Sequence, residues 1–142
     1  MLISTLIRQK GPFVATIRPE ATVAELLDGL EQHRVGALVV SRSGEEIDGV
    51  VSERDVVRHL ARTGAELLHR PVSSVMTREV FTCAPNDTVE DLMGVMTRRR
   101  IRHVPVVEDG RLGGIVSIGD VVKSRLDEIE GERDDLIDYI SR

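Results

Sequence analysis

The hydrophobic positions of this chain follow one pattern of periods and then repeat it. Leu2, Ile3, Leu6 and Ile7 fall on one side of a short helix, which Gly11 and Pro12 close as a C′ glycine followed by a breaker. The run VATIRPEATVAELL, residues 14–27, then matches VFTCAPNDTVEDLM, residues 80–93, at a constant offset of 66. Each run predicts a short strand ending at Pro19 or Pro85, then a helix with Thr22 or Thr88 as N-cap. The helix faces are apolar at Val23, Leu26, Leu27 and Leu30, and again at Val89, Leu92, Met93 and Met96. Two β-rich runs follow in each copy. VGALVV and IDGVVS flank SRSGEE in the first; IRHVPVV and GGIVS flank EDGRL in the second, where Asp109–Gly110 is a strong hairpin signal.

The duplication is densest in GVVSERDVV, residues 49–57, and GIVSIGDVV, residues 114–122. Each reads as a strand, a Ser, an Asp three residues on, and an apolar helix start. Two readings stand side by side. Ser at an N-cap with an acid at N3 is a capping box, though that box prefers Glu or Gln and Asp is a methylene shorter. Alternatively, the pair faces the free N–H groups of a helix N-terminus, a natural seat for ribose or phosphate.

The order strand, helix, strand, strand, helix is thus written twice, around a linker at 64–77. Neither unit of about 60 residues has much core alone, so the two are expected to pack as one α/β globule. The expected divisions are a first repeat with the N-terminal helix, 1–65; a linker and second repeat, 66–125; and a helical extension, 126–142. Along that extension Val122, Ile129 and Leu136 recur every seven residues, as do Leu126, Arg133 and Ile140. The stripe suits a helix lying on its own domain or a partner surface.

Charge sharpens this picture. Residues 127–142 hold seven acids against Arg133 and Arg142, the whole of the net −5, so the body before them is neutral. That balance, and only Phe13, Phe81 and Tyr139 as aromatics, argue against nucleic acid as a partner. The single cysteine, Cys83, excludes an internal disulfide and suits a core thiol; His33, His59 and His69 are too scattered for a metal, and none is expected. There is no apolar span for a bilayer and no secretion signal, so no membrane is expected and a cytoplasmic protein is. Arg98, Arg99, Arg100 and Arg102 form a basic run at a helix C-terminus, where cations are favourable in any case. Walker, G-x-S-x-G, H-E-x-x-H and G-x-G-x-x-G motifs are missing, so no enzyme is indicated.

The doubled pattern resembles the cystathionine-β-synthase-type (CBS) domain pair, often called a Bateman module, and in particular its small stand-alone bacterial members. The resemblance is carried by the helices opened at Thr22 and Thr88, by VGALVV and GVVSERD, by the linker VSSVMTREV, and by RHVPVVEDGRLGGIVSIGD. It implies a sensor that binds AMP, ADP, ATP, NAD or S-adenosylmethionine in two clefts between the repeats, as a homodimer that regulates some further protein. Asp55 and Asp120 would hold ribose hydroxyls, with Ser52 and Ser117 beside them at the helix starts. Val14 and Val80, with Met76 nearby, would wall the adenine, and Arg102 and His103 would meet phosphates. The first repeat departs from this, with Gly36 and Ala37 at the positions of Arg102 and His103, and Arg54 opposite Gly119. The clefts need not be equivalent. The competing expectation is an assembly protein with vestigial clefts that partners through its acidic helix.

Overall fold

The structure, a computed structural model, describes residues 1–142. Helix α1 spans Ile3–Lys10. The first repeat follows as β1 (Thr16–Ile17), α2 (Val23–His33), β2 (Ala37–Val40), β3 (Gly49–Ser52) and α3 (Glu53–Thr63). Two 3₁₀ turns, Gly64–His69 and Val72–Ser74, make up most of the linker. The second repeat is α4 (Val89–Arg99), β4 (His103–Glu108), β5 (Arg111–Ser117) and α5 (Ile118–Ser141). Its expected first strand is reduced to one parallel bridge, Cys83 with Val106.

The sheets copy one another. β1 runs parallel to β2 and β2 antiparallel to β3; β4 and β5 form an antiparallel hairpin with a bulge at Val106–Val107. Asp109 and Gly110 turn that hairpin with φ of 53° and 75°, the left-handed pair that an Asp-Gly sequence accepts readily. Thr22 and Thr88 cap α2 and α4, each hydroxyl accepting the N–H three residues on at 3.1 Å.

Two cores of ten buried residues form, and each takes its closing segment from outside its own repeat. Ile3 and Leu6 of α1 lie in the second repeat's core with Leu92, Val104 and Val116; Leu67, Val72 and Val75 of the linker lie in the first, with Leu26, Leu38 and Val51. The N-terminal helix, expected with the first repeat, therefore packs on the second. Backbone bonds repeat the exchange position by position. Val72 N–H donates to Ala21 O and Ser73 N–H to Pro19 O, while Ile3 N–H donates to Asp87 O and Ser4 N–H to Pro85 O. A chain segment must satisfy its N–H groups somewhere, and here both leaders find their acceptors across the molecule. The two repeats are thereby tied into one unit.

Gly49 is where the linker presses closest. A Cβ there would stand 2.7 Å from Thr77 O and 2.8 Å from the Met76 sulfur, and Thr77 O already accepts the Val50 N–H. Gly49→Ala is expected to cost about 1–3 kcal/mol by forcing the linker away. Gly131, with nothing near it in the middle of α5, should respond with the opposite sign: Gly131→Ala gains up to about 1 kcal/mol of helix propensity. Urea titration of both variants checks the pair, and equal midpoints would contradict the packing described.

Candidate functional site

Both duplicated turns open a helix, and both form the full reciprocal cap. Ser52 Oγ accepts the Asp55 N–H at 3.4 Å, and Asp55 Oδ2 accepts the Ser52 N–H at 2.9 Å. Ser117 and Asp120 do the same at 3.1 and 2.9 Å. The shorter acid was expected to fall short of this reach. It does not, because the serine backbones are extended and bring their N–H groups within 2.9 Å of the carboxylates. Capping leaves the ribose reading open, since it engages one oxygen of each acid. Asp55 uses only Oδ2 in bonds to Ser52, whereas Asp120 Oδ2 also accepts from the Lys10 ammonium at 2.6 Å.

Beside Asp55 lies a cavity of about 260 Å³. The start of α3 contributes Ser52, Glu53, Arg54, Asp55 and Arg58. The chain entering the second repeat contributes Thr77, Glu79, Val80 and Phe81, held near by the two-way backbone bridge between Val50 and Thr77. The corner between α4 and β4 adds Arg100, Ile101, Arg102 and His103. Of the residues expected at a site, Ser52, Arg54, Asp55, Val80, Arg102 and His103 thus share one cavity. Met76 does not line it: its side chain turns inward against Gly49 and the first repeat's core. Val14, Ser117 and Asp120 also lie outside it.

Four arginines and three carboxylates line the cavity, a net positive wall. Arg54 and Arg58 are one turn apart on α3 and so share a face. Arg100 arrives by a different route. It is the C-cap of α4, in the left-handed region at φ 54°, matching Arg34 at φ 53° in the first repeat. A non-glycine residue there is uncommon, and the turn brings Arg100 to the cavity wall. Arg99, next to it, lies 4.9 Å over the Phe81 ring. Sequence reasoning missed Arg58 and Arg100. The four-residue spacing from Arg54 was the available signal for the first; the arginine run contained the second.

His103 lines the cavity with its charge disfavoured. Burial is the largest influence on it, and the charges of Lys10 and Arg102 push the same way, against Glu53 and Asp120. Its pKa is held below the ordinary histidine value, which favours the neutral imidazole, a group that offers a hydrogen bond rather than a charge. Glu53 belongs to the first helix start and Asp120 to the second, so the charges of both act on His103. Asp120 is shifted by opposed causes: burial raises its pKa, but the Lys10 ammonium and the Ser117 bonds prevail and hold it below the usual carboxylate value. Burial pushes the Cys83 thiol up to about 12, as for a core residue. No group of three or more His, Cys, Asp or Glu side chains is placed to hold a metal, and no helix is long and apolar enough to cross a membrane.

Comparison with known proteins returns the same architecture. Residues 11–62 and 72–127 each match the family model described as CBS domain. The mitochondrial CBS domain-containing protein CBSX3 of Arabidopsis thaliana is 39% identical over 84% of this chain, which spans 60% of that protein's length. The crystal structure of the CBS-domain containing protein ATU1752 from Agrobacterium tumefaciens is 43% identical and superposes with a TM-score of 0.85, covering 88% of this chain and 99% of that one. The CBS domain protein PAE2072 from Pyrobaculum aerophilum, complexed with AMP, is 32% identical with a TM-score of 0.75, covering 84% and 89%.

Proposed function

The chain belongs to the CBS domain family, and from that premise we propose that it is a regulatory module, not an enzyme, that binds an adenine nucleotide in the cleft at Asp55. The observation that carries this reading is the gathering of Arg54, Arg58, Arg100 and Arg102 around one capped helix start that also presents Asp55. An aspartate suits a ribose diol, and guanidinium groups suit phosphate oxygens. The AMP held by the Pyrobaculum protein supports the same ligand class. The net positive wall favours AMP, ADP, ATP or NAD over S-adenosylmethionine, whose sulfonium adds a cation among cations. Val80 and Phe81 supply the apolar side for adenine.

As a regulator, the module must report its ligand through a difference in affinity between two states, since equal binding shifts nothing. Its partner surface, on this reading, is a second copy of itself. Val57 and Leu60 on α3, and Val122, Leu126 and Ile129 on α5, are all exposed apolar side chains. The same side chains suit the competing reading, an assembly protein that has no ligand.

A thermal-shift series separates the two. At a hundredfold excess over the dissociation constant, ATP, ADP, AMP or NAD should add about 2.7 kcal/mol, seen as a melting temperature several degrees higher. S-adenosylmethionine should do less. A flat response to every adenine nucleotide at millimolar concentration would leave assembly as the function.

A further inference from the structure

The two leader segments run in register at first and then part. Ile3 does for the second repeat what Val72 does for the first, Ser4 what Ser73 does, and Ile7 faces Gly114 as Met76 faces Gly49. From Ile7 to Val14 the first leader takes seven steps; from Met76 to the matching Val80 the linker takes four. The three additional residues extend α1 by nearly one turn, and that turn ends in Lys10. Its ammonium donates at 2.6 Å to Asp120 Oδ2 and at 2.8 Å to Ile115 O.

The second of these contacts replaces one in the other cleft. Ile115 corresponds to Val50, whose carbonyl accepts the Thr77 backbone N–H at 2.9 Å. The first helix start thus has its edge closed by backbone, and its acid forms no ion pair. At the second, a single lysine bonds both the edge carbonyl and the acid, with the Lys10 and Asp120 side chains only 32% and 25% exposed.

We propose that Lys10 is a latch on the second cleft: its ammonium, paired with the capping oxygen Oδ2, stands beside the carboxylate a ribose would need and offsets its charge, so that the chain takes up one nucleotide, at Asp55. The proposal rests on the reading of Asp55 and Asp120 as ribose acceptors. A ligand entering at Asp120 meets a carboxylate whose charge is already paired, and must either displace the ammonium or bind Oδ1 beside it, which weakens its binding by roughly tenfold to a hundredfold. α1 is also the element that such a displacement would disturb, because Ile3 and Leu6 anchor it in the second repeat's core.

Titration calorimetry with ATP on the wild type, Lys10→Met and Lys10→Arg tests the latch. Methionine keeps most of the unbranched apolar stem without the ammonium, and the reciprocal cap at Ser117–Asp120 remains to hold the helix start. One site per chain is expected for the wild type and for Lys10→Arg, and a second site, tightened by tenfold or more, for Lys10→Met. In Lys10→Met combined with Asp55→Asn, only that second site should remain tight. One site in both the wild type and Lys10→Met overturns the latch and leaves the nucleotide reading standing. Two sites of equal affinity in the wild type overturn it as well. No binding by any of the proteins overturns the nucleotide reading and the latch with it.

Discussion

Asp55→Asn is expected to lower the affinity of the first cleft for adenine nucleotides by about tenfold to a hundredfold while leaving the fold intact. Asparagine keeps one oxygen, enough to accept the Ser52 N–H that Asp55 Oδ2 accepts at 2.9 Å. The second carboxylate oxygen accepts nothing from the protein, and in asparagine it becomes an NH₂ donor. A ribose hydroxyl that donated to the charged acid then meets a donor instead. Hydrogen bonds to charged groups are worth about 1.5–3 kcal/mol, which sets the expected loss. Asp120→Asn is the matching control. It removes the Lys10 ion pair but should not change affinity at Asp55, since Asp120 lies outside that cavity. Calorimetry on both variants checks the assignment. An Asp55→Asn protein that binds like the wild type would leave Asp55 as a cap alone and send the ribose elsewhere.

The features legible in the sequence were those that depend on near neighbours. The helix order, the threonine caps, the Asp-Gly hairpin and the Ser-x-x-Asp turns are all local, and the structure forms each of them, while one expected strand shrinks to the Cys83 bridge. The exchange of leader segments was not legible, because nothing in residues 1–10 says that their N–H groups will find acceptors near residue 87. For the same reason Lys10 had no visible role: its partners Ile115 and Asp120 are more than a hundred residues away. Arg100 was visible as a charge, but its place on the cavity wall follows from a left-handed backbone turn. His103 was legible as a polar residue beside Arg102, but its burial was not. That burial comes from the tertiary fold, which no local pattern encodes.

Leu126→Asp is expected to convert a two-copy assembly into single chains. α5 has 24 residues, about 36 Å of helix, and its last eleven positions are exposed on every side. A helix of that length without tertiary contacts is marginal in water, so this part of α5 calls for a partner. The apolar positions Leu126, Ile129, Leu136 and Ile140 are each about half exposed or more, and Val57 on α3 is 65% exposed. A second copy would bury them, at about 25 cal/mol per Å² of apolar surface. The acids set a condition on this packing. Seven carboxylates per tail repel their equivalents when two copies meet, so added salt should tighten the assembly by screening them. An aspartate at position 126 would stand unpaired among buried apolar groups, where an isolated charge is strongly disfavoured. Light scattering after gel filtration should give twice the chain mass for the wild type and once for Leu126→Asp, with unchanged nucleotide affinity, because Leu126 does not line the cavity. A wild type that runs as a single chain at micromolar concentration, or a variant that still pairs, would show that α5 is not the surface through which copies meet.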